Sequence, residues 1–319
     1  MRINRFVSLL LFSVLLMGCR SKTYLTKTIE IDGIARTYHI HLPPDFSEDN
    51  PAPLVLALHG GGGNGLRFDR GVTNNTLIPA ADERGIVLVF PEGIDHQWCD
   101  GRFAQIDPAS PCQDRNDVPF LSAIIDTMIQ DYGVDPARVY ATGISNGGFM
   151  SFRLAIDLSD KIAAIAPVTA QLSAALENQS PQNPISVMLI NGTADPLVPY
   201  DGGEVRVFDF GRSRGEVQST DETIAHFRSH NGCELTPAIA QPVDDDPDDD
   251  KAVTIKTYTH CQANTDVILV KVEGGGHTWP GGKQYLSQDR IGTVSQEINA
   301  SELILEFFLN HPREELSEN

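Results

Sequence analysis

Six continuous apolar runs punctuate the chain: Leu54–Leu58, Ile86–Phe90, Val139–Thr142, Ile162–Ala166, Ile185–Ile190 and Val267–Val270. They are short, rich in β-branched residues and show no polar alternation. That is the pattern of strands covered on both faces of a parallel sheet. Ahead of them, Thr23 to Leu42 alternates, and Asp32-Gly33 interrupts the alternation, which predicts a β-hairpin. Helical spacing fills the gaps. Phe120, Leu121, Ile124, Ile125, Met128, Ile129 and Tyr132 recur at three and four, and Ile304, Leu305, Phe308 and Leu309 repeat the spacing before His311-Pro312 ends the helix. Together these elements predict an α/β chain with a mostly parallel central sheet, helices on both faces and an N-terminal antiparallel hairpin.

The first eighteen residues read as an export signal rather than as part of the fold. Arg2 and Arg5 precede an apolar run, Phe6 to Met17, that is too short to span a membrane. The run ends in Leu16-Met17-Gly18-Cys19, which is similar to the lipobox of bacterial lipoproteins, whose cysteine is lipidated and becomes the mature first residue. Residues 1–18 are therefore expected to be a signal peptide and 19–319 a single catalytic domain. The protein is then a cell-envelope lipoprotein held by lipid on Cys19, or, with cleavage alone, extracellular. The formal charge of −19 repels phosphates and anionic bilayers, so nucleic acid is not expected as a partner, and membrane only through the lipid.

Export also gives the cysteines a role. With Cys19 set aside, four of the five remain, and an even number in an oxidising compartment suggests disulfides. Of the three possible connectivities, the sequence-local pairs Cys99–Cys112 and Cys233–Cys261 are favoured. No cysteine or histidine spacing suggests a metal site. The run Asp244 to Asp250, six Asp around Pro247, reads as a solvated loop.

The strongest chemical signal is Gly143-Ile144-Ser145-Asn146-Gly147-Gly148, lying between a predicted strand and a helix-like segment, Phe149 to Leu158. A serine thrust out of such a turn needs a strained backbone and neighbours without side chains, and this is the context of a nucleophile elbow. A serine hydroxyl needs a base. Of the nine histidines, His277 sits on a glycine-rich loop just past a strand, in Gly274-Gly275-Gly276-His277-Thr278-Trp279, and His59, also beside glycines, reads as a buried structural histidine. Asp195, in Asn191-Gly192-Thr193-Ala194-Asp195-Pro196, follows another strand and is expected to orient the base. The order Ser, Asp, His is that of α/β-hydrolases. His59-Gly60-Gly61-Gly62-Gly63 follows Leu58 and is expected to supply oxyanion donors, Gly61 or Gly62, beside the Asn146 N–H.

These segments, together with Asp117-Val118 and Gly276-His277-Thr278-Trp279-Pro280-Gly281, resemble the polyhydroxybutyrate depolymerase and feruloyl esterase family over roughly residues 25 to 312. The resemblance implies a serine carboxylic ester hydrolase of the α/β-hydrolase fold that takes no cofactor. Its implied substrates are hydroxyalkanoate oligomers or esters on plant polysaccharides. Ser145, Asp195 and His277 match the family's catalytic positions. Trp98 and Trp279 are expected to line the substrate pocket. Two other readings stay open: a peptidase of the prolyl-oligopeptidase type, which shares the elbow and residue order, and a non-catalytic envelope lipoprotein.

Overall fold

The structure, a computed structural model, describes residues 24–102, 112, 115–207, 213–239, 242–244 and 252–314. The signal peptide, Cys19 and all of the acidic run except Asp244 lie outside the described residues. The hairpin is β1 (Leu25–Ile31) and β2 (Ile34–His41), turning at Asp32-Gly33. Then follow β3 (Leu54–Leu58), α1 (Gly65–Gly71), α2 (Leu77–Arg84), β4 (Val87–Pro91) and α3 (Val118–Tyr132). The middle of the chain holds β5 (Val139–Ile144), α4 (Asn146–Asp157), β6 (Ala164–Val168) and β7 (Ser186–Gly192). A small hairpin, β8 (Gly203–Arg206) and β9 (Ser213–Val217), precedes α5 (Thr220–Asn231). The chain closes with β10 (Ala238–Ile239), β11 (Val253–Tyr258), β12 (Val267–Val272), α6 (Gln288–Ile291) and α7 (Ala300–Asn310).

Ten strands form one sheet in the order β1-β2-β4-β3-β5-β6-β7-β12-β11-β10. The strands from β4 to β12 run parallel, and antiparallel pairs close both edges. This is the α/β-hydrolase fold. Because side chains alternate across a strand, each apolar run feeds two cores. Leu54, Leu56 and Leu58 face the layer of α3, α4 and α5, while Val55 and Ala57 face α2 and α7. On that second face Tyr140 stacks on Phe308, with centroids 4.7 Å apart and planes within 7°. The apolar runs are thus continuous because helices cover both sides of the sheet.

Three edge features went unread in the sequence. Strands β8 and β9 carry Gly203 and Gly215 at positive φ, with charged residues between. Strand β11 is only half-buried, so its apolar positions are diluted by Thr and Lys. Helix α5 is polar overall and is fixed by its ends: Ser219 and Glu222 form a reciprocal capping box. Both sequence-local disulfides are present, with Cα separations of 5.3 Å for Cys99–Cys112 and 3.9 Å for Cys233–Cys261.

One buried ion pair ties the hairpin to the site side of the sheet. Arg36 Nη2 donates to Asp117 Oδ1 at 2.7 Å, and Asp117 Oδ2 accepts the Cys99 N–H at 2.7 Å. The guanidinium also lies over Phe120, 4.1 Å from the ring centre. Both charges are excluded from water, so removing one strands the other. Asp117→Ala is expected to lower unfolding free energy by about 3–5 kcal/mol, read from urea melts. An effect under about 1 kcal/mol would show that Arg36 finds another partner.

Candidate active site

Four loops leave the carboxyl ends of parallel strands and meet above the sheet. Residues 59–63 follow β3, Ser145 follows β5, Asp195 follows β7 and His277 follows β12. The chain leaves β3 for β4 on one side and returns at β5 on the other, so a crevice opens there, where such sheets bind ligands.

Ser145 sits at φ 55° and ψ −119°, a strained conformation for a residue with a side chain. Its N–H is anchored to the Val168 carbonyl at 2.9 Å, and α4 begins at the next residue. The turn is possible because Gly143 and Gly147 lack side chains. A Cβ on Gly147 would come within 2.1 Å of the Leu58 carbonyl oxygen, and one on Gly143 within 2.6 Å of the same atom. The elbow therefore lies directly on the end of β3, where the glycine loop starts.

A second close approach joins the other two loops. A Cβ on Gly192 would meet the Gly275 carbonyl oxygen at 2.1 Å. Ala194 N–H donates to that carbonyl at 2.9 Å, and Gly274 N–H to Thr193 Oγ1 at 2.9 Å. Asp195 and His277 are carried on this sewn pair. Asp195 Oδ2 accepts from His277 Nδ1 at 2.7 Å, while Oδ1 accepts the N–H groups of Leu197 and Val198 at 2.8 and 2.9 Å. With its carboxylate so held, His277 carries its proton on Nδ1 and presents Nε2 as the lone-pair nitrogen. Tyr285 donates from its hydroxyl to the His277 carbonyl at 2.7 Å, and burial, helped by the charge of Asp195, pushes that phenol well above its ordinary value.

Ser145 and His277 line the same cleft of about 480 Å³, together with Gly60–Gly63 and Asn146. The Ser145 hydroxyl makes no side-chain hydrogen bond among the described residues, and it is part-exposed to the cleft. Within the glycine loop, the Gly62 N–H donates to the His96 carbonyl at 2.8 Å and the Gly63 N–H to Gly60 at 2.9 Å. Gly62 is thus engaged in holding the loop. The N–H of Gly61 meets no carbonyl among the described residues, and Gln97 lies against that residue.

Trp98 and Trp279 do not line the cleft, contrary to the sequence expectation. Each indole N–H finds a partner inside, the His59 carbonyl at 2.9 Å and Ser301 Oγ at 3.2 Å, so the rings bury completely. Trp98 packs on His59 and Trp279 meets Phe68 edge-on, one layer behind the cleft wall. His59 is structural: Gly93 N–H donates to its Nε2 at 3.0 Å and its Nδ1 donates to the Gly60 carbonyl at 2.9 Å. The Asn146 side chain, unread in the sequence, joins the elbow to the next loop. It accepts from Trp98 N–H at 2.7 Å and donates to Asp100 Oδ2 at 2.7 Å.

The family model described as esterase PHB depolymerase matches residues 36–211, more than half of the chain. The chain belongs to this esterase family. It is 31% identical over 90% of its length to NocK of Nocardia uniformis subsp. tsuyamanensis, a protein named as an esterase, of which it covers 83%. It is 27% identical over 79% of its length to feruloyl esterase D of Neurospora crassa, covering 77% of that protein. The fold is shared with the acetyl xylan esterase of Aspergillus awamori, with a TM-score of 0.57, 15% identity, and coverage of 90% of this chain and 99% of that one. Family membership makes the protein a carboxylic ester hydrolase.

Two outcomes follow from this geometry. Gly147→Ala is expected to push the elbow off the glycine loop and lower kcat by about a hundredfold while far-UV circular dichroism stays native, and unchanged kcat would show the contact can relax. Burial holds the His59 imidazole below its ordinary value. Between that lowered value and about pH 6.5 the unfolded chain binds more protons than the folded one, so stability rises with pH through this window. The melting temperature should fall as pH drops below about 6.5, and His59→Gln should flatten that slope.

Proposed function

We propose that this family member hydrolyses carboxylic esters through an acyl-enzyme, with Ser145 as nucleophile, His277 as general base and acid, and Asp195 as the group that orients the base. The 2.7 Å bond from Asp195 to His277 Nδ1 carries this reading, because it leaves Nε2 as the proton acceptor in the cleft that Ser145 enters. Catalytic hydrogen bonds commonly close only when substrate is bound, so the Ser145 contact forms in the complex.

In the first half-reaction Ser145 Oγ bonds to the ester carbonyl carbon and passes its proton to His277 Nε2. The carbonyl electrons move to oxygen, where the N–H groups of Asn146 and Gly61 receive the negative charge. Gly62 is not assigned this role because its N–H is already donated to His96. The carbon–oxygen bond then breaks and the alcohol leaves with the proton from His277. In the second half-reaction water gives a proton to His277 and bonds to the acyl carbon, the acyl–Oγ bond breaks, His277 returns the proton to Ser145 Oγ, and the acid is released. Water and ester are consumed, alcohol and acid are produced, and nothing is oxidised.

The same reading places the protein outside the cytoplasm, delivered by residues 1–18 and, in the lipoprotein form, anchored through Cys19, with 19–319 as one domain. The two disulfides support export, since such bonds persist in oxidising compartments. Its substrates are hydroxyalkanoate oligomers or plant-polysaccharide esters.

Ser145→Ala is expected to lower 4-nitrophenyl ester turnover by about three orders of magnitude or more and to abolish labelling by a fluorophosphonate probe. Asp195→Asn should also cost several orders of magnitude in kcat, by favouring the wrong imidazole tautomer. Wild-type turnover in Ser145→Ala would refute the assignment.

A further inference from the structure

The cleft is charged against the grain of the chain. The sequence holds 43 acidic and 24 basic residues. Yet Arg67, Arg102 and Arg214 line the cleft, and among the described residues no aspartate or glutamate does. The three arginines come from α1, the loop after β4, and β9, so no local run of basic sequence explains their meeting. Most of the other walls are apolar or backbone, among them Phe68, Ile144, Leu197 and Val205. Low-dielectric walls of this kind strengthen the field of a cation inside a cleft.

Their environments differ. Arg102 is buried, bound through Nη2 to Asp100 Oδ2 at 2.6 Å, and its guanidinium lies 3.6 Å over the Phe149 ring. It acts as a floor for the small hairpin: a Cβ on Gly215 would fall 2.9 Å from Arg102 Cβ. That packing fixes the strand that carries Arg214 beside the cleft. Arg67 and Arg214 are themselves exposed. A neutral ester offers such guanidinium groups only uncharged acceptor oxygens, whereas a carboxylate matches the guanidinium fork with two parallel, charge-assisted hydrogen bonds.

Resting on the ester-hydrolase reading above, we propose that the substrate is an ester bearing a free carboxylate away from the scissile bond, and that Arg67 and Arg214 bind that carboxylate. Arg102 is a positioning residue for Arg214. Two sources supply this chemistry: an oligomer of hydroxy acids with a free acid end, and a saccharide ester carrying a uronate.

The test compares two esters of one acid with the purified protein. Mono-4-nitrophenyl adipate ends in a carboxylate, and 4-nitrophenyl methyl adipate ends in a neutral ester. The ratio of kcat/KM, acid over neutral, is expected to be about tenfold in the wild type and to fall towards one in the Arg67→Gln, Arg214→Gln double variant. Arg214→Glu should carry the ratio lower than Arg214→Gln. Raising salt from about 0.15 M to about 1 M, which shortens the screening length from about 8 Å to about 3 Å, should shrink the wild-type ratio as well. Each variant is its own control on the neutral ester, so a general loss of folding or catalysis cancels. A wild-type ratio of one or below, or a ratio that both variants leave unchanged, overturns the proposal. Turnover of the neutral ester that survives Ser145→Ala overturns instead the reading beneath it. The 3-hydroxybutyrate dimer and an acetylated methyl glucuronoside, each set against its methyl ester, name the source: preference for the first acid assigns hydroxy-acid oligomers, and for the second uronate esters.

Discussion

The site depends on backbone meeting backbone at two places where no side chain fits. At one, Gly147 lies against the end of β3, so the elbow and the glycine loop form a single surface. At the other, Gly192 lies against Gly275, so the loops of Asp195 and His277 form a second. Each contact leaves less room than any Cβ requires. Glycine here serves close approach, and the positive φ belongs instead to Ser145, the residue that needs to stand out of the turn. The sheet fixes the relative height of these surfaces, because β3, β5, β7 and β12 are parallel and end on the same side.

Behind these contacts a polar layer sets the direction of the groups in front. Asn146 spends its side chain on the Trp98 backbone and Asp100, which leaves its N–H at the helix start beside Ser145. Asp100 in turn holds Arg102, and Asp117 holds both Arg36 and the Cys99 N–H. The Cys99–Cys112 bond sits in the same loop. Glu92 belongs to this layer too. Burial would raise its carboxyl, yet bonds from His39 and the Gly65 N–H outweigh that and keep it below its ordinary value. The loop from 92 to 102 is therefore held by hydrogen bonds, one disulfide and the buried ring of Trp98. It packs against Gly61 through Gln97 and takes the Gly62 N–H through His96, so its rigidity is passed to the glycine loop.

What was legible in the sequence had a local cause. The strands of the central sheet announced themselves because both faces are buried, and the elbow, the glycine loop and the Ser, Asp, His order sit at strand ends where turn chemistry is written in adjacent residues. What escaped had no local cause. The role of Asn146's side chain depends on Asp100 arriving from a different loop. The hairpin of β8 and β9 is short, polar and outside the main sheet, so neither periodicity nor apolar content marked it. Since it supplies Val205 and Arg214 to the cleft, the substrate-facing wall was illegible together with it. The expectation for Trp279 failed for a related reason. Nearness to His277 in sequence suggested nearness to substrate, but Ser301 lies 22 residues on and draws the Trp279 indole inward.

The charge distribution links the site to the reaction's end as well as its start. Ester hydrolysis makes a carboxylate from every neutral acyl group, so product is always more anionic than substrate. A cleft lined by arginines in a chain of net charge −19 handles this by range. At physiological ionic strength fields are screened over about 8 Å, so an anion outside the cleft meets mainly the acidic exterior, and one inside meets mainly guanidinium groups. Under the proposed binding role, capture by Arg67 and Arg214 is thus short-ranged. Once the acid is formed, its new charge lies beside Ser145, where Asp195 stands behind His277 and opposes it. In the proposed mechanism the carboxylate that orients the base therefore also favours release of the acid that the reaction leaves behind.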